Sequence, residues 1–199
     1  MALALLAACG GGGDAPTSAL SGAAGTPAAP ASAGPAASSP STESPSAPAP
    51  TATATCGLSN FATAALTRIN QLRATGASCG ARGVFAPTTA LAWSNLLTQA
   101  AEGHSSDMAS VNFFSHTSSD GRTLAPRVSA TGYTWLTLGE NIAAGYATID
   151  SVMDGWIASD GHCANLMSPA FTEVGMACVP GLPTSGYNTY WTMDLGHPL

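Results

Sequence analysis

The sequence predicts an α+β fold in which helices come first along the chain and antiparallel strands come last. A low-complexity segment ends near residue 55, which leaves residues 56–199 as one domain with enough residues for a core. Apolar residues recur at helical spacing in the first half of this domain. Two runs of strand-forming residues, separated by a glycine-rich segment, close it. Helices before strands indicate a layered domain with antiparallel pairing.

The first half of the domain is predicted to contain three helices. Apolar residues at helical spacing indicate helices over residues 59–74 and 89–111, and a short helix over residues 124–130. Gly76 and Gly132 follow the first and the third of these helices, and glycine at this position is a typical stop signal. The second helix is the longest and has the clearest apolar stripe.

The second half is predicted to contain one helix and three extended segments. The segment over residues 139–146 is expected to be extended, and apolar spacing predicts a helix over residues 148–159. Strands are predicted over residues 172–179 and 188–195. The loop over residues 181–186 would join these two strands as an antiparallel hairpin.

The chain before the domain differs sharply in composition. Residues 10–55 are almost all Ala, Gly, Pro, Ser and Thr, so they offer too little apolar surface to offset the entropy of ordering. We interpret this segment as a disordered tether. Leu6-Ala7-Ala8-Cys9 resembles the lipobox of bacterial lipoprotein precursors, so residues 1–9 are interpreted as a signal remnant and Cys9 as a lipidation site. No basic segment precedes this motif, and we expect Met1 to lie inside a longer signal.

Charged residues are sparse, which limits the partners of the protein. The net charge is −6, and all five basic residues are arginines. A nucleic-acid-binding surface needs a basic patch, and the sequence has none. Electrostatic attraction to an anionic membrane is disfavoured for the same reason, so we expect membrane contact only through a lipid anchor. We also expect a monomer.

The cysteines indicate an oxidising compartment. Cys56, Cys79, Cys163 and Cys178 lie in the folded part, and an even number in an exported protein predicts two disulfides. Four cysteines allow three pairings. We favour Cys56–Cys79 and Cys163–Cys178, because these pairs close the two short loops. A C-x-x-C zinc motif is absent from the sequence.

Three residues have side chains that are suited to metal binding or proton transfer. His116 follows two aromatic residues at a predicted helix exit, Glu140 lies between Gly and Asn, and His162 follows Gly and precedes a cysteine. Two imidazoles and one carboxylate can bind zinc or another divalent metal, or transfer protons. His104, by contrast, lies on the apolar face of its predicted helix and is expected to be a core histidine bonded to a backbone carbonyl or to Asp107.

Taken together, the motifs resemble the CAP superfamily of cysteine-rich secretory, antigen 5 and pathogenesis-related proteins, and its bacterial secreted branch in particular. The matching motifs are His104-Ser105-Ser106-Asp107-Met108-Ala109, Phe113-Phe114-Ser115-His116, Gly132-Tyr133, Gly139-Glu140-Asn141-Ile142-Ala143, Trp156-Ile157-Ala158-Ser159, Gly161-His162-Cys163-Ala164-Asn165-Leu166 and Phe171-Thr172-Glu173-Val174-Gly175. The resemblance implies a three-layer α-β-α sandwich with a small antiparallel sheet. It also implies a cavity lined by two histidines and two acids.

The resemblance assigns three of the four cavity positions. His116 matches the first histidine, Glu140 the acid of the Gly-Glu-Asn motif, and His162 the second histidine. Ser159 stands where eukaryotic members have the second acid, with Asp160 beside it. We therefore expect metal ligation by His116, His162 and Glu140, and contributions to a ligand-binding wall from Ser159, Asp160 and Asn141.

Three functions fit these residues. The first is an extracytoplasmic binding module, in the periplasm or at the cell surface, that holds a divalent metal and a glycan, lipid or peptide. The second is a metal-assisted hydrolase of envelope polymers or peptides, with Glu140 as general base and His116 and His162 holding the metal. The third is a structural role, in which Glu140 bridges the two histidines and holds three loops together.

Overall fold

The computed structural model of the chain describes the backbone of residues 5–8 and all atoms of residues 54–199. The predicted lipidation site, Cys9, and nearly all of the predicted tether over residues 10–55 lie outside the described residues. Ala54 and Thr55 are part of the domain, because Ala54 is fully buried and Thr55 bridges to Cys178 on a core strand. The domain boundary therefore lies at or before Ala54.

The described residues form five α-helices and seven strands, together with a 3-10 turn at Gly80–Arg82. The helices are α1 Phe61–Thr75, α2 Asn95–Val111, α3 Leu124–Ala130, α4 Ile149–Ile157 and α5 Asp160–Met167. The strands are β1 Leu5–Ala8, β2 Ala77–Ser78, β3 Val84–Phe85, β4 Ala92–Trp93, β5 Trp135–Ala144, β6 Glu173–Pro180 and β7 Thr189–Pro198. None of the helices in these parts of the chain has the length and unbroken apolar sequence that a bilayer-spanning helix needs.

The main sheet has the strand order β1-β5-β7-β6-β4, and it is antiparallel except where β4 runs parallel to β6. Side chains alternate across it. On β7, Trp191 and Met193 pack with α1 and α4 on one face, whereas Tyr190 packs with α2 on the other. Helices α1, α4 and α5 thus form one layer, and α2 and α3 form the other. The predicted α+β class and the α-β-α sandwich are confirmed.

Most predicted elements are present, and two differ. The helix predicted over residues 89–111 begins only at Asn95, because Ser94 caps it and Ala92–Trp93 pairs with β6 instead. The segment after α4 is a separate helix, α5, whereas no helix was predicted after residue 159. Eight residues with only a weak apolar stripe leave little periodic signal for such a helix.

The predicted disulfide pairing is wrong. The bonds are Cys56–Cys178 and Cys79–Cys163, which join residues 122 and 84 positions apart rather than Cys56 to Cys79 and Cys163 to Cys178. The Cys56 amide donates to the Cys178 carbonyl, which brings the start of the domain onto β6. Cys163 lies on α5, which packs against the turn that follows Cys79. Packing between distant segments, and not loop length, decides the pairing.

Candidate functional site

The centre of the candidate site is Glu140, which is 2% exposed and lies on β5 facing the α2/α3 layer. His116 follows the end of α2, and its Nδ1 lies 2.6 Å from Glu140 Oε1. The other carboxylate oxygen, Oε2, accepts a hydrogen bond from the Arg127 guanidinium on α3. One predicted contact, between His116 and Glu140, is therefore present, and Arg127 is a partner that sequence reasoning missed.

Arg127 joins Glu140 to the segment that carries His116. It is 5% exposed, and its Nη1 donates to the backbone carbonyl of His116 at 2.8 Å and to that of Arg122 at 3.2 Å. Glu140 balances the charge of Arg127. Both side chains are almost completely buried, so the ion pair has little contact with water. Such a pair depends on the complete set of hydrogen bonds around it, because desolvation of both charges is costly.

The electrostatics of Glu140 follow from these contacts. Burial alone would raise the pKa of the carboxyl group, but the hydrogen bond from His116 and the charge of Arg127 hold that pKa below its usual value. Glu140 is therefore a carboxylate at neutral pH, and both of its oxygens accept hydrogen bonds from the protein.

His104 on α2 forms hydrogen bonds to the segment after α2 that carries His116. Its Nε2 lies 2.9 Å from the Ser115 carbonyl and its Nδ1 lies 3.1 Å from Ser118 Oγ, so both ring nitrogens bond to the segment that carries His116. Burial lowers the pKa of this imidazole. The prediction of a core histidine bonded to a backbone carbonyl is confirmed, and Asp107 instead bonds Ser119.

A second acid, Asp194, lies directly opposite Glu140 on β7. It is fully buried, and the Glu140 carboxyl group is the polar neighbour that interacts with its carboxyl oxygens. Burial and the neighbouring charge of Glu140 raise the pKa of Asp194 well above its usual value, which favours the neutral carboxylic acid. Its sequence signal was present: Asp194 is the single acidic residue in the otherwise uncharged run of residues 189–196.

His162 is held by a different set of contacts. It lies on α5, and its Nδ1 is 2.9 Å from Oγ of Ser159, the residue that precedes the helix. Asn141 donates to the His162 carbonyl at 3.1 Å, and Asn165 donates both to the Glu140 carbonyl and to Asn141 Oδ1. The amide side chains of Asn141 and Asn165 thus join the Gly-Glu-Asn motif on β5 to helix α5, which carries His162.

Asp160 does not occupy the fourth cavity position. Its carboxylate is exposed and accepts a hydrogen bond from the Ala81 amide at 2.8 Å, at the turn next to Cys79. A Cβ added at Gly80 would collide with this carboxylate, so the glycine is required for the contact. Asp160 therefore anchors α5 to that turn.

The same geometry limits which residues could ligate a metal. Among the described residues, no group of three or more His, Cys, Asp or Glu side chains is placed to hold a metal ion. Glu140 does not fit as a direct ligand, because its oxygens bond His116 and a guanidinium. It does fit as the acceptor behind His116, the arrangement in which a carboxylate orients a metal-binding imidazole.

Two clefts flank the polar centre. Arg127 and Ser118 line one of about 500 Å³ on the α2/α3 side, together with Asp107 and Asp120. Asn165 belongs to another of about 370 Å³ between α5 and β5. Both clefts are large enough for a small organic ligand or a short chain segment.

Comparison with known proteins identifies the family. Residues 66–195 match the family described as CAP, the cysteine-rich secretory protein family. The chain is 35% identical over 83 residues to Uncharacterized protein YkwD of Bacillus subtilis, covering 42% of this chain and 32% of YkwD. It is 31% identical over 101 residues to Uncharacterized membrane protein YlbC of the same bacterium, covering 51% of this chain and 29% of YlbC.

The fold is similar to that of a solved bacterial protein. The crystal structure of an extracellular protein containing a SCP domain from Bacillus anthracis matches with a TM-score of 0.52 and 26% identity, covering 69% of this chain and 41% of that chain. The matched part spans less than a third of either Bacillus subtilis relative. Because the family match covers most of the chain and the α-β-α architecture agrees with it, this chain belongs to the CAP family, the cysteine-rich secretory protein family.

Proposed function

We propose that this protein is an extracytoplasmic ligand-binding module of the cell envelope, in the periplasm or at the cell surface, anchored through Cys9. The secretory family and the similarity to an extracellular protein support the location. The two disulfides support an oxidising compartment. The ligand is a glycan, lipid or peptide that contacts His116 and one of the two clefts that flank the polar centre.

One observation carries the choice of a binding module over a hydrolase. A general base must accept a proton near neutral pH, and it works best when its pKa is close to the working pH. The pKa of Glu140 is instead lowered, and both of its oxygens already accept hydrogen bonds from His116 and Arg127. Glu140 is thus suited to hold His116 in place and poorly suited to activate water.

A divalent metal such as zinc is a second candidate ligand. The Glu140–His116 hydrogen bond selects the tautomer of His116 in which Nδ1 carries the proton. The lone pair is then on Nε2, the nitrogen that would ligate a metal. His116 and His162 would be the protein ligands. When bound, the ion would supply Lewis acidity, and the described residues would supply only the orientation of His116.

Calorimetry on the full chain tests this proposal. The four probes are ZnCl2, an N-acetylglucosamine oligomer, a cell-wall stem peptide, and vesicles of phosphatidylglycerol. We expect at least one probe to bind, with about tenfold or more weaker affinity for His116→Ala. His197→Ala is the matched control, because that imidazole bonds the Ala170 carbonyl, outside the Glu140 network.

Two outcomes would contradict the proposal. The first is equal affinity of the wild type and His116→Ala for every probe that binds. The second is turnover of a peptide or ester substrate that disappears in Glu140→Gln, which would favour the hydrolase.

A further inference from the structure

The outer edge of β5 is occupied by the chain's own first strand. Leu5–Ala8 pairs with β5 in antiparallel register, with Leu5 opposite Ala144 and Ala8 opposite Asn141. On its other side, β5 pairs with β7 along its length. Without β1, residues 141–144 would be an exposed sheet edge, and such an edge is a template for pairing with another strand.

The hydrogen-bonding direction of this edge follows from its neighbours. The Gly145 amide donates to Thr189 on the β7 side, so by alternation the amides of Ile142 and Ala144 point outward toward β1. The outward direction has independent support, because the Ile142 carbonyl accepts a hydrogen bond from the Trp156 indole. The Ala7–Ile142 and Leu5–Ala144 pairs are therefore the hydrogen-bonded pairs of this ladder.

The accepting edge has defined ends. At one end the outward carbonyl of Glu140 accepts from the Asn165 side chain at 3.2 Å, so this group is already capped. At the other end Gly145 has a φ of 84°, which turns the chain out of the strand. Between them, Ile142 and Ala144 supply an uncharged, buried surface.

We propose that the outer edge of β5, residues 141–144, is a strand-accepting site that binds an extended, uncharged peptide segment in antiparallel register. Leu5–Ala8 is its intramolecular occupant in the unprocessed chain, and cleavage before Cys9, which the proposed lipid anchor requires, would leave the edge open to such a segment. Main-chain hydrogen bonds supply the affinity in this mode of recognition. The apolar edge disfavours a charged residue opposite Ile142, because that charge would lose water without gaining a partner. This site does not depend on the proposed function of His116.

Amide hydrogen exchange, measured by NMR on the full chain, tests the proposal. Ala7→Pro removes an amide that points at β5, so exchange of Ile142 and Ala144 should become at least about tenfold faster. Ala8→Pro is the matched control. Its amide points away from β5, where proline is tolerated on an edge strand, so protection should persist.

A peptide added in trans tests the general site. The probe is an acetylated, amidated peptide with the sequence of residues 3–8, added at about 1 mM to the Ala7→Pro chain. We expect it to restore protection at Ile142 and Ala144, and expect no effect from the same peptide with Asp in place of Ala7. Equal exchange in the two proline variants, or no protection by the added peptide, would overturn the proposal.

Discussion

Replacing Glu140 by glutamine is the sharpest test of the buried polar centre. The carboxylate accepts hydrogen bonds from two donors, His116 on one oxygen and Arg127 on the other. Glutamine has almost the same shape but only one acceptor oxygen, and its amide nitrogen is a donor. In Glu140→Gln, one of the two partners must therefore face a donor, and the guanidinium loses its counter-charge.

The size of the effect follows from burial. The side chains of Arg127 and Glu140 are 5% and 1% exposed, so water cannot replace the lost carboxylate. Removing one partner of such a buried ion pair costs about 3–5 kcal/mol. Domains of this size have free energies of unfolding of about 5–15 kcal/mol, so Glu140→Gln should remove a large fraction of the stability.

Urea unfolding at pH 7, with the disulfides intact, measures this loss. Asp194→Asn is the matched control, because it changes the acid directly opposite Glu140 on β7. Folding favours the neutral form of Asp194, so its replacement by a neutral amide should not lower the free energy of unfolding at this pH. A loss below about 1 kcal/mol in Glu140→Gln, or equal losses in both variants, would refute the assignment of charge to this pair.

The pH dependence of the two variants gives an independent check. Folding raises the pKa of Asp194 above its ordinary value of 3.8, so its contribution to stability is full below that value and is lost as pH rises. The stability gain of Asp194→Asn over the wild type should thus grow above about pH 4, by at most about 1.4 kcal/mol per pH unit. Folding lowers the pKa of Glu140, so the cost of Glu140→Gln should shrink in acid.

Two further predictions concern the frame that holds the site. Replacing both Cys79 and Cys163 by alanine opens a loop of 84 residues, which should lower the free energy of unfolding by about 4–5 kcal/mol in the chain-entropy description. An unchanged urea midpoint would contradict the pairing. Gly175→Ala should destabilise the domain strongly, because a Cβ there would collide with the backbone of α2 at Thr98. Gly186→Ala, where the nearest atom lies 3.6 Å away, should cost little, and equal melting temperatures of the two variants would refute this packing.

Elements with a strong local signal were predictable from the sequence. Helix α3 begins and ends as predicted, and β5 and the β6–β7 hairpin are present with ends shifted by one to four residues. The start of α2 was not predictable, because Ala92–Trp93 has helical spacing but pairs with β6 once the domain folds. The prediction of the disulfide pairing failed for a related reason, because cysteine spacing carries no information about which segments pack together.

The site was predictable in part. His116 and Glu140 meet as expected, because both belong to motifs with a recognisable pattern. Arg127 and Asp194 were missed: an arginine in a short helix has no local signature, and a lone acid in an uncharged strand does not reveal which residue it faces. Their roles depend on the register that places Asp194 opposite Glu140 and on the packing of α3 against β5. Such long-range features are properties of the fold.

The Gly-Glu-Asn motif can be explained by what its three residues join. A Cβ on Gly139 would lie 2.7 Å from the ring of Phe171, so only glycine permits this packing. Glu140 faces the α2/α3 layer and holds its polar centre, whereas Asn141 faces the opposite layer and bonds the His162 carbonyl. Because strand residues alternate, two adjacent polar residues are the shortest way to tie both helical layers to one strand. The motif therefore has a sufficient structural reason to exist without catalysis, which agrees with a binding module.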